Sequence, residues 1–236
     1  MNIVVTGASR GIGYELVKHF AKNEKNTIIC TARDQEKLEK LKKECDHNPN
    51  HGNVIPFYCD LSSPESIHSL TNEIKKHVHS IDILINNAGA IVNKPFLELK
   101  QEDVQKVYQV NVFSVISLIQ SLFPLMNKKE RSHIVNISSV GGFQGSVKFA
   151  GLSAYSSSKA AMICLTECLA EEFKDQNIAF NCLALGATQT EMLEEAFPGY
   201  KAPISASDMA EFIANFSITG HKYLNGKIIP VSLSTP

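Results

Sequence analysis

The sequence predicts one α/β domain over residues 1–236, a doubly wound parallel sheet of about seven strands with helices on both faces. Three observations lead there. Short β-branched runs alternate with longer stretches of helical period along the whole chain. No linker, internal repeat or low-complexity tract interrupts that alternation. The composition, 44% hydrophobic and 20% charged over 236 residues, suits a globular chain able to bury a full core. Strand–helix–strand units of this length cross over right-handed, which sets the strands parallel and covers both faces of the sheet.

The elements follow in order. Ile3 to Thr6 reads as a strand, Ile12 to Lys22 as a helix and Thr27 to Thr31 as a strand. Asp34 to Cys45 is a charged helix with Asp34 placed to cap it. A loop over 47–53 carries Pro49 and Gly52. Val54 to Tyr58 is a strand, and Pro64 to His77 a helix with proline in its first turn. Ile81 to Asn86 is a strand, and Gln101 to Met126 a long helix. Ser132 to Ser138 is a strand, followed by an irregular glycine-rich stretch and a helix from Ala154 to Phe173. Ile178 to Leu185 is a strand, Ser207 to Phe216 a short helix and Lys227 to Val231 the last strand.

Composition excludes several function classes. A net charge of -1 offers no electrostatic case for nucleic acid or an anionic membrane. No run of about 18 apolar residues marks a membrane span. Met1-Asn2 runs straight into a strand, which leaves no room for a signal peptide, so the expected location is cytoplasmic. The six cysteines lie mostly in apolar runs without C-x-x-C spacing, as buried free thiols would. Histidines at 47, 51, 77 and 79 have no partners at metal-ligand spacing, so no metal site is expected.

Two stretches carry chemistry. Thr6-Gly-Ala-Ser-Arg-Gly-Ile-Gly13 joins the first strand to the first helix. Gly7 permits a tight turn, Gly11 lets backbone approach a phosphate, and Gly13 allows close packing of helix on strand. The helix N-terminus then offers unpaired N–H groups to a pyrophosphate. The second stretch, Ser153 to Ala161, places Tyr155 and Lys159 four residues apart on one helix face. There the ammonium is expected to favour the phenolate and draw the tyrosine toward working pH.

The glycine spacing, Gly-x-x-x-Gly-x-Gly, together with Tyr-x-x-x-Lys, resembles the short-chain dehydrogenase/reductase family in its shorter members, over essentially the whole chain. The resemblance rests on six motifs in order: Thr6 to Gly13, Cys59-Asp60-Leu61, Asn86 to Gly89, Val110-Asn111-Val112, Ser139 in Asn-Ile-Ser-Ser, and Tyr155 with Lys159. It implies a Rossmann-like fold and a cofactor site of Gly7, Ser9, Arg10, Gly11, Ile12, Gly13, Asp60, Leu61, Asn87, Ala88, Gly89, Thr188 and Thr190. It also implies that Tyr155 exchanges a proton with a carbonyl or alcohol, and that Lys159 lowers its pKa and holds the nicotinamide ribose. Ser139 would bind the substrate oxygen, and Asn111 would hold a water linking Lys159 to solvent. The choice of Ser139 over Ser138 follows the resemblance alone.

An acid at the end of the second strand would hold a ribose 2′-OH, but the region reads Cys30-Thr-Ala-Arg33, with no acid before Asp34. Arg33, aided by Arg10, can pair with a 2′-phosphate, so the expected cofactor is NADP(H) rather than NAD(H). Two departures from the family stand out. The stretch between Ser139 and Tyr155 is long and carries Phe143 and Phe149, which reads either as an apolar wall over substrate or as an anchored loop. Leu185-Gly186 replaces the family's Pro-Gly, which is expected to loosen that turn and weaken cofactor binding. The irregular segment 191–206 is expected to cover the substrate.

The reading is an NADP(H)-dependent oxidoreductase for a ketone or secondary alcohol, with 3-oxoacyl thioesters suggested by the family. The alternatives are a non-catalytic dinucleotide-binding regulator or scaffold, and an epimerase or dehydratase on the same fold. The long helix is apolar beyond one stripe, from Val110 to Leu122, and so predicts a homodimer or homotetramer.

Overall fold

The computed structural model describes residues 1–235. Its strands are β1 (Asn2–Thr6), β2 (Thr27–Ala32), β3 (Asn53–Tyr58), β4 (Ile83–Asn86), β5 (Ser132–Ser139), β6 (Ile178–Leu185) and β7 (Lys227–Val231). They form one sheet in the order β3-β2-β1-β4-β5-β6-β7. Every pairing is parallel. From β1 the chain winds outward to β3, then returns to the centre and winds the other way. The reversal between β1 and β4 opens a crevice at the carboxyl ends of the strands, where such sheets hold ligands.

The helices α1 (Gly11–Ala21), α2 (Gln35–Asp46) and α8 (Ala206–Thr219) cover one face. Leu16, Phe20, Leu38, Leu41 and Ile213 pack there against the sheet. The other face receives α3 (Pro64–His77), α5 (Ser114–Leu122) and α6 (Ser153–Glu172), through Leu70, Ile74, Leu118, Leu122 and Met162. Strands β4, β5 and β6 are buried almost throughout, as strands sandwiched between two helical layers must be. Caps set the register of the helices. The Asp34 carboxylate accepts from Lys37 N at 3.0 Å, and Ser63 Oγ accepts from Ser66 N at 3.2 Å ahead of Pro64.

Four details depart from the sequence reading. The expected helix over 101–126 is α4 (Gln101–Tyr108), a π-helical turn over Gln109–Phe113, and then α5. The extra residue of that turn coincides with Asn111, whose side chain is bonded away from the helix (below), and a 3₁₀ turn with Pro124 ends the run. Although Gln101–Leu125 has the length and hydropathy of a membrane span, its Val115, Leu118, Ile119 and Leu122 are buried in this layer. Ile81 lies before β4 and bridges Met126 instead. Segment 191–206 contains a helix, α7 (Glu191–Ala196), capped by Thr190. Finally, Cys30, Cys45, Cys59 and Cys182 are buried free thiols, but Cys164 and Cys168 are exposed on the outer face of α6.

Candidate active site

The glycine turn is built against β4. Gly7 and Gly11 have φ of +71° and +57°, a region that side chains with a Cβ rarely enter. A Cβ on Gly13 would stand 2.3 Å from Gly7 O and 2.5 Å from Asn87 Nδ2, so α1 presses directly on the turn. Asn87 clamps it, donating from Nδ2 to Thr6 O at 2.9 Å. The Thr6 hydroxyl in turn accepts from Asn87 N at 3.1 Å and Ala88 N at 3.0 Å. Arg10, at the cap position of α1, provides no side-chain cap. The first amides of α1 are therefore left to an outside anion.

From this turn a cleft of about 490 Å³ runs along the carboxyl ends of the strands. Its nucleotide end is lined by Ser9, Arg10, Ile12, Arg33, Asp60 and Leu61, with Asn87, Ala88 and Gly89 on the floor. Asp34 is engaged locally: it caps α2 and pairs with Lys37 Nζ at 3.5 Å. Asp60 accepts from Ser62 Oγ at 2.7 Å and Ser62 N at 2.9 Å. Those bonds hold its carboxyl below the usual range, and Arg33 adds to the effect. Lys37, which the sequence reading did not single out, also lines this end.

At the other end, strand alternation separates the two serines. Both border the cleft, but Ser138 is buried with its Oγ donating to Lys159 O at 2.8 Å, whereas Ser139 is only partly buried and lies beside Tyr155. Lys159 Nζ lies 5.8 Å from the Tyr155 ring centre and donates to Ile137 O at 2.8 Å. Burial pushes the Tyr155 phenol up to about 12, with the Ser139 hydroxyl pulling the other way. The phenol is therefore raised, not lowered as its lysine neighbour led us to expect. Removal from water dominates, and it also brings Lys159 down to about 8.

Asn111 lies behind the cleft wall. Its Oδ1 accepts from Ala90 N at 2.7 Å, and its Nδ2 donates to Ala90 O and Ser158 Oγ, each at 2.9 Å. Ser158 Oγ donates to Tyr155 O at 2.7 Å. Asn111 thus ties the loop after β4 to the helix that carries the tyrosine. Gly13 likewise supports the wall from behind, and the remaining expected site residues line the cleft itself.

Helix α7 and the loop after β5 form a lid over the Tyr155 end of the cleft. Phe149 from the loop after β5 meets Phe197 edge-on at 5.7 Å, and Met192 and Leu193 of α7 continue this wall. Phe143 does not line the cleft; its carbonyl instead accepts from Lys148 Nζ and Ser146 Oγ, both at 2.8 Å. Asn93 Nδ2 holds the far end of α7 through Ala196 O at 2.8 Å. Thr190 Oγ1 caps α7 by accepting from Leu193 N at 3.3 Å, so its hydroxyl is engaged within the chain. Thr188 Oγ1 is buried in the cleft wall with no hydrogen-bond partner among the described residues. Leu185-Gly186, expected to be loose, is fixed from outside by Gly186 N to Val231 O at 2.8 Å and Ala187 N to Ser234 O at 3.1 Å. The uncapped α1 amides, the close-approach glycines and the orphaned Thr188 hydroxyl fit a dinucleotide laid across the switch point.

A doubly wound sheet with this glycine turn and a Tyr–Lys–Ser cluster defines a nicotinamide-nucleotide oxidoreductase. The comparisons agree. Residues 1–201 match the family model for short chain dehydrogenase. The chain is 33% identical to a 3-oxoacyl-[acyl-carrier-protein] reductase of Aquifex aeolicus, over 97% of this chain and 94% of that one. It is 32% identical to a fatty acyl-CoA reductase of Acinetobacter baylyi over 80% of this chain, spanning 63% of that longer protein. The Pseudomonas aeruginosa RhlG/NADP complex superposes with a TM-score of 0.85 at 27% identity, covering 98% of this chain and 94% of that one. The chain belongs to the short-chain dehydrogenase/reductase family and is an oxidoreductase of that family.

Proposed function

We propose that this protein interconverts a ketone and a secondary alcohol using NADP(H), with a 3-oxoacyl thioester or a similar small carbonyl as substrate. The observation that carries the reading is the meeting of Tyr155, Ser139 and Lys159 at one end of a cleft whose other end is the glycine turn. Bound nicotinamide supplies or accepts the hydride. Arg10, Arg33 and Lys37 would hold a 2′-phosphate, with Asp60 and Leu61 at the adenine. Lys159 would hold the ribose. The engagement of Asp34 as a helix cap favours NADP(H), because the nearest carboxylate is not free for a ribose hydroxyl.

Tyr155, still protonated at neutral pH, gives its proton to the substrate oxygen during reduction and takes it back in the reverse direction. Ser139 donates to that oxygen as charge develops on it. Lys159 beside the phenol stabilises the phenolate that reduction leaves behind. Asn111 is a positioning residue, acting through Ser158 and the loop of Ala90. The names of the two curated relatives support acyl substrates. The apolar wall of Phe149, Phe197, Met192 and Leu193 would suit the chain of such a substrate.

The wider reading includes a cytoplasmic setting, supported by six free cysteines, and a homodimer or homotetramer. Oligomerisation is supported by Phe113, half exposed at the end of the π turn ahead of α5, and by the small, exposed Ser157 on α6. The decisive experiment follows NADPH consumption against a panel of ketones and 3-oxoacyl thioesters, with Tyr155→Phe beside wild type. Turnover lost in the variant, with NADPH binding retained, is the expected result. Binding without turnover on any ketone would move the reading to a dinucleotide-binding regulator, or to an epimerase or dehydratase.

A further inference from the structure

The guanidinium of Arg10 in the glycine turn is already occupied by a carboxylate. Arg10 Nη1 meets Glu195 Oε1 at 2.7 Å, across 185 residues of sequence. Glu195 sits on α7, the lid helix, and the pair raises the arginine while holding the glutamic acid below its usual range. Glu191, on the same helix, places Oε2 3.6 Å from where a Cβ on Gly11 would stand, so it too hangs over the turn. Glu194 is spent elsewhere, accepting from Gly199 N at 3.0 Å. Two carboxylates of one short helix thus face the turn that phosphate groups would approach.

We infer that Glu195 is a positioning residue that sets cofactor specificity, because it competes with a 2′-phosphate for Arg10. The inference rests on the NADP(H) reading above. Arg10 and Glu195 side chains are 40% and 57% exposed, so their ion pair is solvated and readily exchanged. A 2′-phosphate offers the guanidinium more charge and a matching fork of oxygens. A dinucleotide without that phosphate leaves the Arg10–Glu195 pair intact. The chain therefore binds NADPH against an internal competitor, whereas NADH meets none at this arginine. Because Asn93 and Phe149 hold the far end of α7, the competing carboxylate is presented by the element that roofs the substrate end.

Equilibrium binding of NADPH and NADH, followed by cofactor fluorescence, tests this on wild type, Glu195→Gln, Arg10→Ala, the Arg10→Ala/Glu195→Gln double variant and Arg33→Ala. Glu195→Gln is expected to tighten NADPH roughly 3- to 10-fold at low salt, the scale of one screened charge a few ångströms away. NADH should change less than about 2-fold, and the gain in NADPH affinity should shrink with added salt. With Arg10 already removed, Glu195→Gln should have little effect on NADPH. An equal change for both cofactors, or weaker NADPH binding, overturns the inference, the latter by showing that Glu195 orients Arg10 for the phosphate. If Arg10→Ala weakens NADPH but Glu195→Gln does nothing, the competition alone falls. If wild type binds both cofactors equally and neither Arg10→Ala nor Arg33→Ala affects NADPH, the NADP(H) reading fails and takes this inference with it. Thermal melting of each variant checks that the fold is intact.

Discussion

Lys159 Nζ reaches past Tyr155, 5.8 Å from its ring centre, to donate to Ile137 O at 2.8 Å. The carbonyl fixes the ammonium beside the phenol while both are removed from water. Burial pushes the two groups in opposite directions, the phenol up to about 12 and the lysine down to about 8. The predicted pH profile of carbonyl reduction follows from that order. The rate should be level through neutrality and fall as pH rises through about 8, where Lys159 loses its charge while Tyr155 still holds its proton. Steady-state kcat/KM across that range is the check, and a rate still level or climbing roughly one unit above the lysine would separate Lys159 from the chemistry. Tyr155→Phe should lower kcat by about 10²–10⁴ at every pH, the usual worth of a positioned general acid.

The Thr6 hydroxyl is a second testable joint. It accepts from Asn87 N and Ala88 N, and its residue is 2% exposed. Thr6→Val keeps the shape and leaves the partly buried Ala88 amide without its acceptor, at a cost of about 1–3 kcal/mol, while Asn87 N keeps Ile85 O at 3.1 Å. The variant should unfold at lower urea and bind NADPH more weakly, because Ala88 lies directly against Gly7. An unchanged denaturation midpoint would mean that water or a shifted backbone satisfies that amide.

The lid makes a prediction about size. Phe149 and Phe197 meet edge-on at 5.7 Å over the tyrosine end of the cleft, while Phe143 does not line it. Phe197→Ala should raise KM for apolar ketones by roughly 10-fold or more, on the scale of about 1–3 kcal/mol for a lost apolar contact. Phe143→Ala should leave KM nearly unchanged. Equal effects from the two variants would sink the assignment of the wall.

Much of this was legible in the sequence because it depends on local backbone demands. Alternating strands and helices fix the sheet, and Gly7, Gly11 and Gly13 each answer a geometric need that no other residue meets. What escaped depends on three dimensions. Helical period over 101–126 cannot reveal a π turn, since one inserted residue hardly alters an apolar pattern. A six-residue helix such as α7 is too short to show any period. Ser138 and Ser139 differ only in which face of β5 looks into the cleft, and strand alternation cannot assign that face. Lys37 is one lysine among several on a charged helix, and only the packing of α2 against the sheet turns it toward the cleft. The Tyr155 shift ran against expectation because spacing reveals a neighbour's charge but not how far both groups have left water.

His133 was unremarked in the sequence, yet it governs the last prediction. The side chain is fully buried in β5. Its Nδ1 donates to Ser217 O at 2.9 Å, and its Nε2 accepts from Asn181 Nδ2 at 2.9 Å. The Asn181 amide has no freedom to turn, because its Oδ1 accepts from Lys227 N at 3.0 Å. Protonating Nε2 would set two donors against each other in a dry core, with His221 and Arg131 nearby adding repulsion. These effects bring the histidine from its ordinary 6.5 down to about 3, with burial the largest cause. The unfolded chain therefore takes up a proton below 6.5 that the folded chain refuses until about 3. Stability from this group is complete above 6.5 and declines as pH falls through that window, by roughly 1.4 kcal/mol per pH unit once the unfolded histidine is charged. His19 and His221 are also lowered and contribute the same sign, so the comparison must be between wild type and variant. Urea unfolding between about pH 5 and 6.5, above most carboxylate titration, should show a shallower slope in His133→Gln than in wild type, even though the variant starts from a lower stability. Identical slopes would mean that His133 takes up its proton in the folded state, and that the Asn181–His133 bond does not hold the neutral ring.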